Sequence, residues 1–420
     1  MLRTTLAAFA ASTAISAAGA EPVDLRLWHH GVGSYVEYAI LAPMIDDFNA
    51  AQEDYRVTLE LFEGGSYEEA VAAAAEAGGL PDILDVEGHM MPLWAWAGYL
   101  QPLGLAEDAV AGFLPGAVGR VDGEIYSVGL WDAAVAMMAR CSVLDDYGIR
   151  RPTLDAPWTL EEFDAALTTL ADSGDFDHPL DLGMAWTGEW YPYAFGPFLQ
   201  SFGGDLIDRD TYATAEGALN GDAALAFGEW WQSLFARDLV PGPDQDPADR
   251  AMGLIDGRYA LSWNGNFAAL GVYDAFGGDA CFLPAPDFGN GPVIGAGSWQ
   301  FAASADTDHV EGVRRFIEHA LQPGYLVAFA EGTELIPATR EAASGTDMYA
   351  EGAPLAMFYG LSERQARLRP VTPAYPAAAR VFERTLADIA EGADVEEALD
   401  DAVARIDADI AKNDGYGHGG

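Results

Sequence analysis

Apolar and polar positions follow two different spacings over residues 25–86, and together they predict strand, helix, strand, helix, strand in one run. The strand segments are short and rich in apolar and β-branched residues, as strands covered on both faces require. Their apolar positions are Leu25, Leu27, Val57, Leu59, Leu61, Ile83 and Val86. Between the first two strands, apolar residues recur every three or four positions and form one helical stripe, made of Ile40, Leu41, Met44, Ile45 and Phe48. The run therefore predicts two βαβ units that share a strand.

Two helix starts are marked by a hydroxyl residue followed three positions later by glutamate. Ser66 and Glu69 precede one apolar stripe, and Thr159 and Glu162 precede another. In such a pair each side chain can satisfy a backbone N–H that the helix leaves without a partner. We therefore predict that both positions begin helices.

The same spacing arguments assign further elements along the chain. They predict a short helix over 93–103, a hairpin over 121–131, a strand over 134–144, a strand ending at Trp186, helices over 222–238 and 247–255, a strand over 259–264, a Gly-rich loop over 289–299, a strand over 299–304, a helix over 309–323, closing helices over 376–391 and 395–411, and a flexible tail over 413–420. Strands that alternate with helices indicate an α/β fold.

Residues 1–20 have the composition of a cleavable secretory signal, with Arg3, an apolar run and a small-residue end at 18–20. The alternative is a membrane anchor, but the run is shorter than the ~20 apolar residues that a span needs. We therefore expect export and cleavage of this segment, and the resemblance described below implies the periplasm as the destination. The remaining chain is longer than one hydrophobic core usually serves, which predicts two domains.

The formal net charge of −45 argues against nucleic acid or an anionic membrane surface as a partner, because both are bound mainly through clustered Lys and Arg. Lys412 is the only lysine, which rules out a P-loop or a catalytic lysine in the body of the chain. The serine-hydrolase, zinc-protease and dinucleotide-binding signatures are missing as well. No enzymatic function and no cofactor are therefore expected.

The only two cysteines, Cys141 and Cys281, follow the export signal, so a single disulfide is expected. Both lie in strand-like segments, and two buried thiols are the alternative. His29, His30 and His89 could be metal ligands. No metal site is expected from them, because adjacent residues at a strand end point apart and no acidic or histidine spacing completes a site.

Aromatic residues concentrate at or just beyond predicted strand ends, next to Asp, Asn, Glu, His or Gly. They are Trp28, Trp131, Trp186, Trp190, Tyr191, Trp263 and Trp299. Flat apolar faces beside carboxylates and amides suit a sugar, whose ring stacks while its hydroxyls form hydrogen bonds. Ligands of open α/β folds gather at these strand ends. The pattern therefore indicates a sugar site, although core packing explains any single tryptophan equally well.

Several segments, in this order along the chain, resemble the periplasmic solute-binding proteins of ABC importers, in the extracellular family 1 group that includes maltose-, trehalose- and glycerol-phosphate-binding members. The matching segments are LRLWHH, DDFNAAQEDYRV, GSYEEAVAAAAEAGGLPDIL, WTLEEFDAALTTLA, GRYALSWNGNFAAL, GAGSWQFAAS, GTELIPATREA and the stretch from RLRPVTPAYP to EEALDDAV. The resemblance implies two α/β lobes joined by hinge strands, with the ligand in a central cleft and a membrane permease as partner. It places the N-terminal lobe at 21–130 plus about 284–345 and the C-terminal lobe at 131–283 plus about 346–412.

The resemblance also implies the ligand-binding residues. The N-terminal lobe would contribute His29, His30, Glu63, Asp85 and Glu87, and the hinge and C-terminal lobe would contribute Trp131, Asp132, Trp186, Trp190 and Asn264. Gly297, Ser298 and Trp299 match a Gly-rich turn near the ligand, and Arg369 matches an arginine near the cleft.

The function that follows is capture of a disaccharide or small glycoside by a monomeric periplasmic protein. An anionic glycerol derivative is the alternative within the class, and it would need Arg369 with a second cation. A secreted carbohydrate-active enzyme and a structural adhesin are the alternatives from other classes.

Overall fold

A computed structural model describes residues 21–31, 34–62, 66–242 and 252–417. Its strands are β1 Val23–His29, β2 Tyr55–Leu61, β3 Ile83–Glu87, β4 Leu100–Gln101, β5 Val118–Val121, β6 Glu124–Val128, β7 Trp131–Arg140, β8 His178–Asp181, β9 Tyr259–Gly265, β10 Ala280–Leu283, β11 Ile294–Gly297, β12 Trp299–Ser304, β13 Ile336–Pro337 and β14 Ala366–Arg367. Its α-helices are α1 Ser34–Ala51, α2 Tyr67–Ala77, α3 Met91–Trp96, α4 Cys141–Asp146, α5 Leu160–Ser173, α6 Trp190–Ala194, α7 Gly196–Phe202, α8 Asp222–Ala236, α9 Met252–Ile255, α10 Ala269–Phe276, α11 Val310–Ala320, α12 Pro323–Thr333, α13 Arg340–Ser344, α14 Ala356–Arg364, α15 Tyr375–Ala390 and α16 Val395–Lys412.

The first sheet contains the predicted βαβαβ run. Its strand order is β2-β1-β3-β12-β6-β5, with β4 paired to β12. Strand β1 is parallel to both β2 and β3, as two βαβ units sharing a strand require. The late strand β12 inserts antiparallel between β3 and β6. Apolar clusters cover both faces of this sheet, one around Leu25 and Phe316 and one around Tyr67 and Trp94.

The second sheet is built around β7, which is buried along almost its whole length. The order is β14-β11-β7-β9-β8, and β10 and β13 also pair with β7. One large apolar core surrounds this sheet and includes Trp158, Phe198, Trp231 and Phe382. The two sheets and their helices form the two-lobed α/β architecture that the sequence predicts.

The chain passes between the two sheets where consecutive strands belong to different lobes. These passages are β6 to β7, β11 to β12 and β12 to β13, and β13 pairs with the start of β7. Strand β11 belongs to the second sheet, so the chain returns to the first lobe after Gly297, later than the boundary near 284 that the resemblance implies. The exact lobe boundaries stay a prediction.

Several local predictions differ from the structure. The Thr159–Glu162 capping box forms as predicted, but Ser66 makes no side-chain cap bond because its backbone is helical rather than extended. The stretch 289–299 contains strand β11 and is not a loop throughout. Residues 414–417 form a short 3-10 turn, and Tyr416 packs on Trp96, which corrects this part of the predicted flexible tail.

Other predicted segments end differently or fall outside the described residues. The strand predicted to end at Trp186 ends at Asp181, and Cys141 begins helix α4 instead of lying in a strand. Of the helix predicted over 247–255, the described part is Met252–Ile255. The predicted signal at 1–20 and the tail end at 418–420 lie outside the described residues. Among the described helices, none combines the length and apolar character that crossing a membrane requires.

Candidate functional site: an aromatic cleft between the lobes

A cavity of about 300 Å³ lies between the two lobes, where the chain passes from one sheet to the other. It is lined by Glu87, Trp131, Ala133, Trp186, Glu189, Trp190, Tyr193, Phe267, Gly297, Ser298, Trp299, Leu335 and Arg369. Glu87 and Trp299 belong to the first sheet, whereas Trp131 belongs to the second. Both lobes therefore contribute to one site.

Aromatic rings form much of the wall on the second lobe. The ring centroids of Trp186 and Trp190 are 5.1 Å apart in an edge-to-face arrangement, and Phe267 stacks on Trp186 at 6.0 Å. The indole nitrogen of Trp190 donates to the carbonyl of Leu182 at 3.1 Å, which fixes this ring. These side chains offer apolar faces held in defined orientations.

Tyr193 adds a polar group to the same wall. Its ring lies under the guanidinium of Arg369, with the guanidinium carbon 5.0 Å from the ring centroid. Within the described residues its buried hydroxyl forms no hydrogen bond. Burial raises the pKa of Tyr193, so the hydroxyl keeps its proton at neutral pH. A ligand acceptor in the cavity would complete the hydrogen bond of this hydroxyl.

Arg369 is a buried cation with its charge already paired. Its Nε atom lies 2.9 Å from Glu189 Oε1, and its Nη1 donates to the carbonyl of Ala296. The same Glu189 oxygen accepts a hydrogen bond from the Tyr375 hydroxyl at 2.7 Å. Burial alone would lower the pKa of Arg369, but Glu189 and the other anionic partners raise it. The guanidinium therefore stays charged.

Gly297 is required beside this arginine. Its φ of +149° is disfavoured for residues with a side chain, and an added Cβ would lie 3.1 Å from Arg369 Nη1. Absence of a side chain thus lets the backbone of the hinge approach the guanidinium.

His89 connects carboxylates from the two lobes. Its Nδ1 lies 3.4 Å from Glu87 Oε1 in the first lobe, and its Nε2 lies 3.7 Å from Glu189 Oε2 in the second. Burial would lower the pKa of His89, but Glu189 and Glu87 outweigh it and raise the pKa. Burial would raise the pKa of Glu87, and His89 is the main group that instead lowers it. This charge arrangement favours the two lobes lying close together.

Asp132 joins two hinge strands. Its side chain is fully buried, and its Oδ1 accepts hydrogen bonds from the backbone nitrogens of Gly297 at 2.8 Å and Ala133 at 2.9 Å. Burial raises the pKa of Asp132 to about 6. The residue supports the hinge from behind and does not line the cavity.

The structure brings part of the expected residue set together. Glu87, Trp131, Trp186, Trp190, Gly297, Ser298, Trp299 and Arg369 line the cavity. His29, His30 and Asp85 are buried beneath its floor and line a separate, much smaller cavity. Asn264 is buried in β9, where its side-chain oxygen accepts from Gly265, and Glu63 lies outside the described residues.

Three members of the aromatic set do not line the cavity. Tyr191 and Trp263 are almost fully buried in the apolar core of the second sheet. Trp28 packs in the cluster around Tyr67 and Trp94 on the first sheet. Five lining residues were not predicted from the sequence, namely Ala133, Glu189, Tyr193, Phe267 and Leu335. Glu189 and Tyr193 lie within three residues of the predicted site residue Trp190, and this proximity was the available signal.

The two cysteines form a disulfide. Cys141 and Cys281 have Cα atoms 5.2 Å apart and are bridged. The bridge joins the start of α4 to β10, at the far end of the second sheet from the cleft.

Two lobes, a hinge and a cavity between them define a cleft-type ligand-binding protein. The family model described as "Bacterial extracellular solute-binding protein" matches residues 43–356, and the chain belongs to this family. No curated protein sequence matches the chain significantly.

Solved structures resemble the chain over nearly its full length. The cyclic α-maltosyl-1,6-maltose binding protein from Arthrobacter globiformis is 21% identical with a TM-score of 0.77, covering 93% of this chain and 100% of its own. The sugar-binding protein MalE from the phytopathogen Xanthomonas citri is 17% identical with a TM-score of 0.77, covering 93% and 98%. An extracellular solute-binding protein from Staphylococcus aureus in complex with maltose is 17% identical with a TM-score of 0.74, covering 93% and 98%. At these identities the similarity establishes the fold.

Proposed function

We propose that this protein captures a disaccharide or small glycoside in the cleft and delivers it to the membrane permease of an ABC importer. The observation that carries the proposal is the cavity lining, in which Trp131, Trp186, Trp190 and Trp299 lie beside Glu87, Glu189 and the Tyr193 hydroxyl. Sugar rings present C–H faces that pack on indole, while their hydroxyls donate to carboxylates and accept from a phenol.

The size of the cavity supports a small ligand. Its volume of about 300 Å³ lies at the lower end of the ~300–1,000 Å³ found for small-molecule sites. A long oligosaccharide would extend beyond it. The solved relatives named for maltose and for a cyclic maltosyl-maltose support the carbohydrate class.

The charges of the lining support a neutral ligand over an anionic glycerol derivative. Among the described lining residues, Arg369 is the only Arg or Lys, and it is paired with Glu189. Glu87 adds a second carboxylate. A buried phosphate is stabilised by charge-assisted hydrogen-bond donors, whereas this lining would place carboxylates near it.

We further propose that the protein is a periplasmic monomer that binds its sugar without chemically converting it. Family membership supports an exported binding protein, and the cavity weighs against an adhesin without a small-molecule site. A carbohydrate-active enzyme would share the aromatic cleft, so incubation with a glycoside panel tests for turnover. Released product would contradict the transport function.

Trp186→Ala tests the aromatic wall. Trp186 is only partly buried, so its loss should lower sugar affinity by about 10–100-fold, the equivalent of ~1.5–3 kcal/mol of aromatic burial. The melting temperature should change little. Trp96→Ala is the matched control, since Trp96 is 49% exposed and lies outside the lining. Calorimetry of both variants that shows equal affinities would contradict the assignment of Trp186 to the site.

Trp299→Ala should behave differently. Trp299 stacks on His30 with centroids 3.8 Å apart and contacts Tyr67, so its loss removes packing as well as a sugar contact. We therefore expect lower affinity together with a lower melting temperature.

A further inference from the structure

Four polar side chains that do not line the sugar cavity lie together beneath its floor. His29 ends β1, His30 follows it, Glu37 lies in the first turn of α1, and Asp85 lies in β3. Each is less than one-tenth exposed. His29 Nε2 is 3.1 Å from Glu37 Oε2 and 3.4 Å from Asp85 Oδ2, and His30 Nε2 is 3.9 Å from Glu37 Oε2.

The cluster buries two carboxylates with no Arg or Lys partner among the described residues. Both Glu37 and Asp85 form ion pairs only with His29 and His30 there. Buried charges are costly unless they are compensated locally. Protons on the imidazoles or carboxyls, or one divalent cation, can balance this cluster.

The contacts of Glu37 favour a cation. Within the described residues its buried Oε2 forms no hydrogen bond, although His29 Nε2 is only 3.1 Å away. The carboxylate oxygen and the ring nitrogen form an ion pair, and their spacing also suits two ligands of a common ion. Separations near 3.4 Å are expected between ligand atoms at ~2.1 Å from a tetrahedral metal.

His30 is oriented as metal-bound histidines are. Its Nδ1 is hydrogen-bonded to the Asp85 carboxylate, which leaves the Nε2 lone pair free to coordinate. The ring is fixed by stacking on Trp299 at 3.8 Å and on His29 at 4.4 Å. The backbone N–H of Gly31 donates to His29 Nδ1 at 3.4 Å, the outer limit of a hydrogen bond. Coordination through Nε2 would place the ring proton on Nδ1 and break this long contact.

We propose that His29, His30 and Glu37 bind a divalent transition-metal ion of the zinc type, with Asp85 orienting His30. The three ligand atoms lie within 4.8 Å of one another. Two imidazoles with carboxylate oxygen suit Zn²⁺, whereas Ca²⁺ and Mg²⁺ prefer oxygen ligands alone. This departs from the expectation drawn from the sequence, because the two rings stack instead of pointing apart and Glu37 arrives from a neighbouring helix.

Such an ion would link β1, α1 and β3 directly below Trp299. Metal binding to the native state alone raises stability by mass action. Its expected effects are therefore a higher melting temperature and a better-fixed cleft floor, independent of which sugar binds above.

The test uses untagged, full-length protein treated with a chelator and then titrated with ZnCl₂ by calorimetry. Wild type should bind one Zn²⁺ and melt at a higher temperature. Asp85→Asn should weaken Zn²⁺ binding by about 10–100-fold, as loss of an orienting carboxylate does. Glu37→Gln should weaken it at least as much. His178→Ala is the control, since His178 pairs with Asp238 in the other lobe, and its variant should bind like wild type.

Two results would overturn the proposal. One is an unchanged melting temperature of chelated wild type when Zn²⁺ is added, which would mean that protons alone balance the carboxylates. The other is Zn²⁺ binding that persists unchanged in Glu37→Gln. If that variant fails to fold, X-ray absorption of zinc-loaded wild type decides, because the proposal requires imidazole among the ligands.

Discussion

Replacing Asp132 by asparagine should stabilise the protein at alkaline pH. The fully buried carboxyl has a pKa of about 6, raised by burial from 3.8. Because the folded-state pKa is above the unfolded value, the stability that this group contributes is fully present below pH ~4 and is lost as pH rises through about 6. A shift of about two pKa units corresponds to ~3 kcal/mol.

Asparagine keeps the geometry of the site while removing the charge. Its side-chain oxygen can still accept from the nitrogens of Gly297 and Ala133. Its amide can donate to the buried Ser362 hydroxyl, which already neighbours the Asp132 carboxylate. The variant should therefore exceed wild type in unfolding free energy by up to ~3 kcal/mol at pH 8 and match it near pH 4.

Urea unfolding at pH 4, 6 and 8 measures this difference. Asp287→Asn is the matched control, because Asp287 Oδ1 also accepts from two backbone nitrogens, those of Gly289 and Gly291, but the side chain is only partly buried. Its variant should differ little from wild type at every pH. An Asp132→Asn variant that is less stable than wild type at pH 8 would refute the reasoning, since it would mean that the buried charge is favourable.

Two further predictions concern the covalent and ionic links. Reduction of the Cys141–Cys281 disulfide, or its replacement by two serines, should lower the free energy of unfolding by about 2–5 kcal/mol, because the bridge closes a loop across a sequence separation of 140. An unchanged melting temperature in dithiothreitol would contradict this. His89→Gln should lower stability most at pH 6 and least at pH 8.5, because the raised pKa of His89 means that its contribution is present below ~6.5 and lost as pH rises. A stability difference that grows with pH, measured by thermal melts, would contradict the sign.

The opening βαβαβ run was predictable because the apolar spacing within each segment is enough to identify its strands and helices. Apolar spacing alone specifies strands that are covered on both faces and the helices between them. By contrast, β11 pairs with β7 and β14, which lie far from it in the chain, and its segment is rich in glycine. Only long-range pairing makes this segment a strand, so it was expected to be a loop.

Two helix starts with the same hydroxyl-to-glutamate spacing differ in whether the capping hydrogen bond forms. Thr159 is extended at the helix start and its side chain bonds Glu162, whereas Ser66 is helical and forms no such bond. The hydroxyl-x-x-Glu spacing specifies the side chains but not the backbone conformation that brings them together.

The candidate site was also only partly predictable, because local sequence does not specify which side chains face the cleft. Trp186 and Trp263 occupy similar sequence contexts at predicted strand ends, yet Trp186 lines the cavity and Trp263 is fully packed in the core. Which side of a sheet or loop faces the cleft depends on the twist and packing of both lobes. The cluster below the floor was missed for a related reason, since Glu37 reaches the histidines only through the tertiary placement of α1.

The central claim is tested most directly by isothermal titration of the purified protein with a set of disaccharides and with glycerol 3-phosphate at matched ionic strength. We predict one-to-one binding of at least one neutral disaccharide and no binding of glycerol 3-phosphate. Binding of the anion with no response to any sugar would contradict the assignment of the aromatic cleft to carbohydrate.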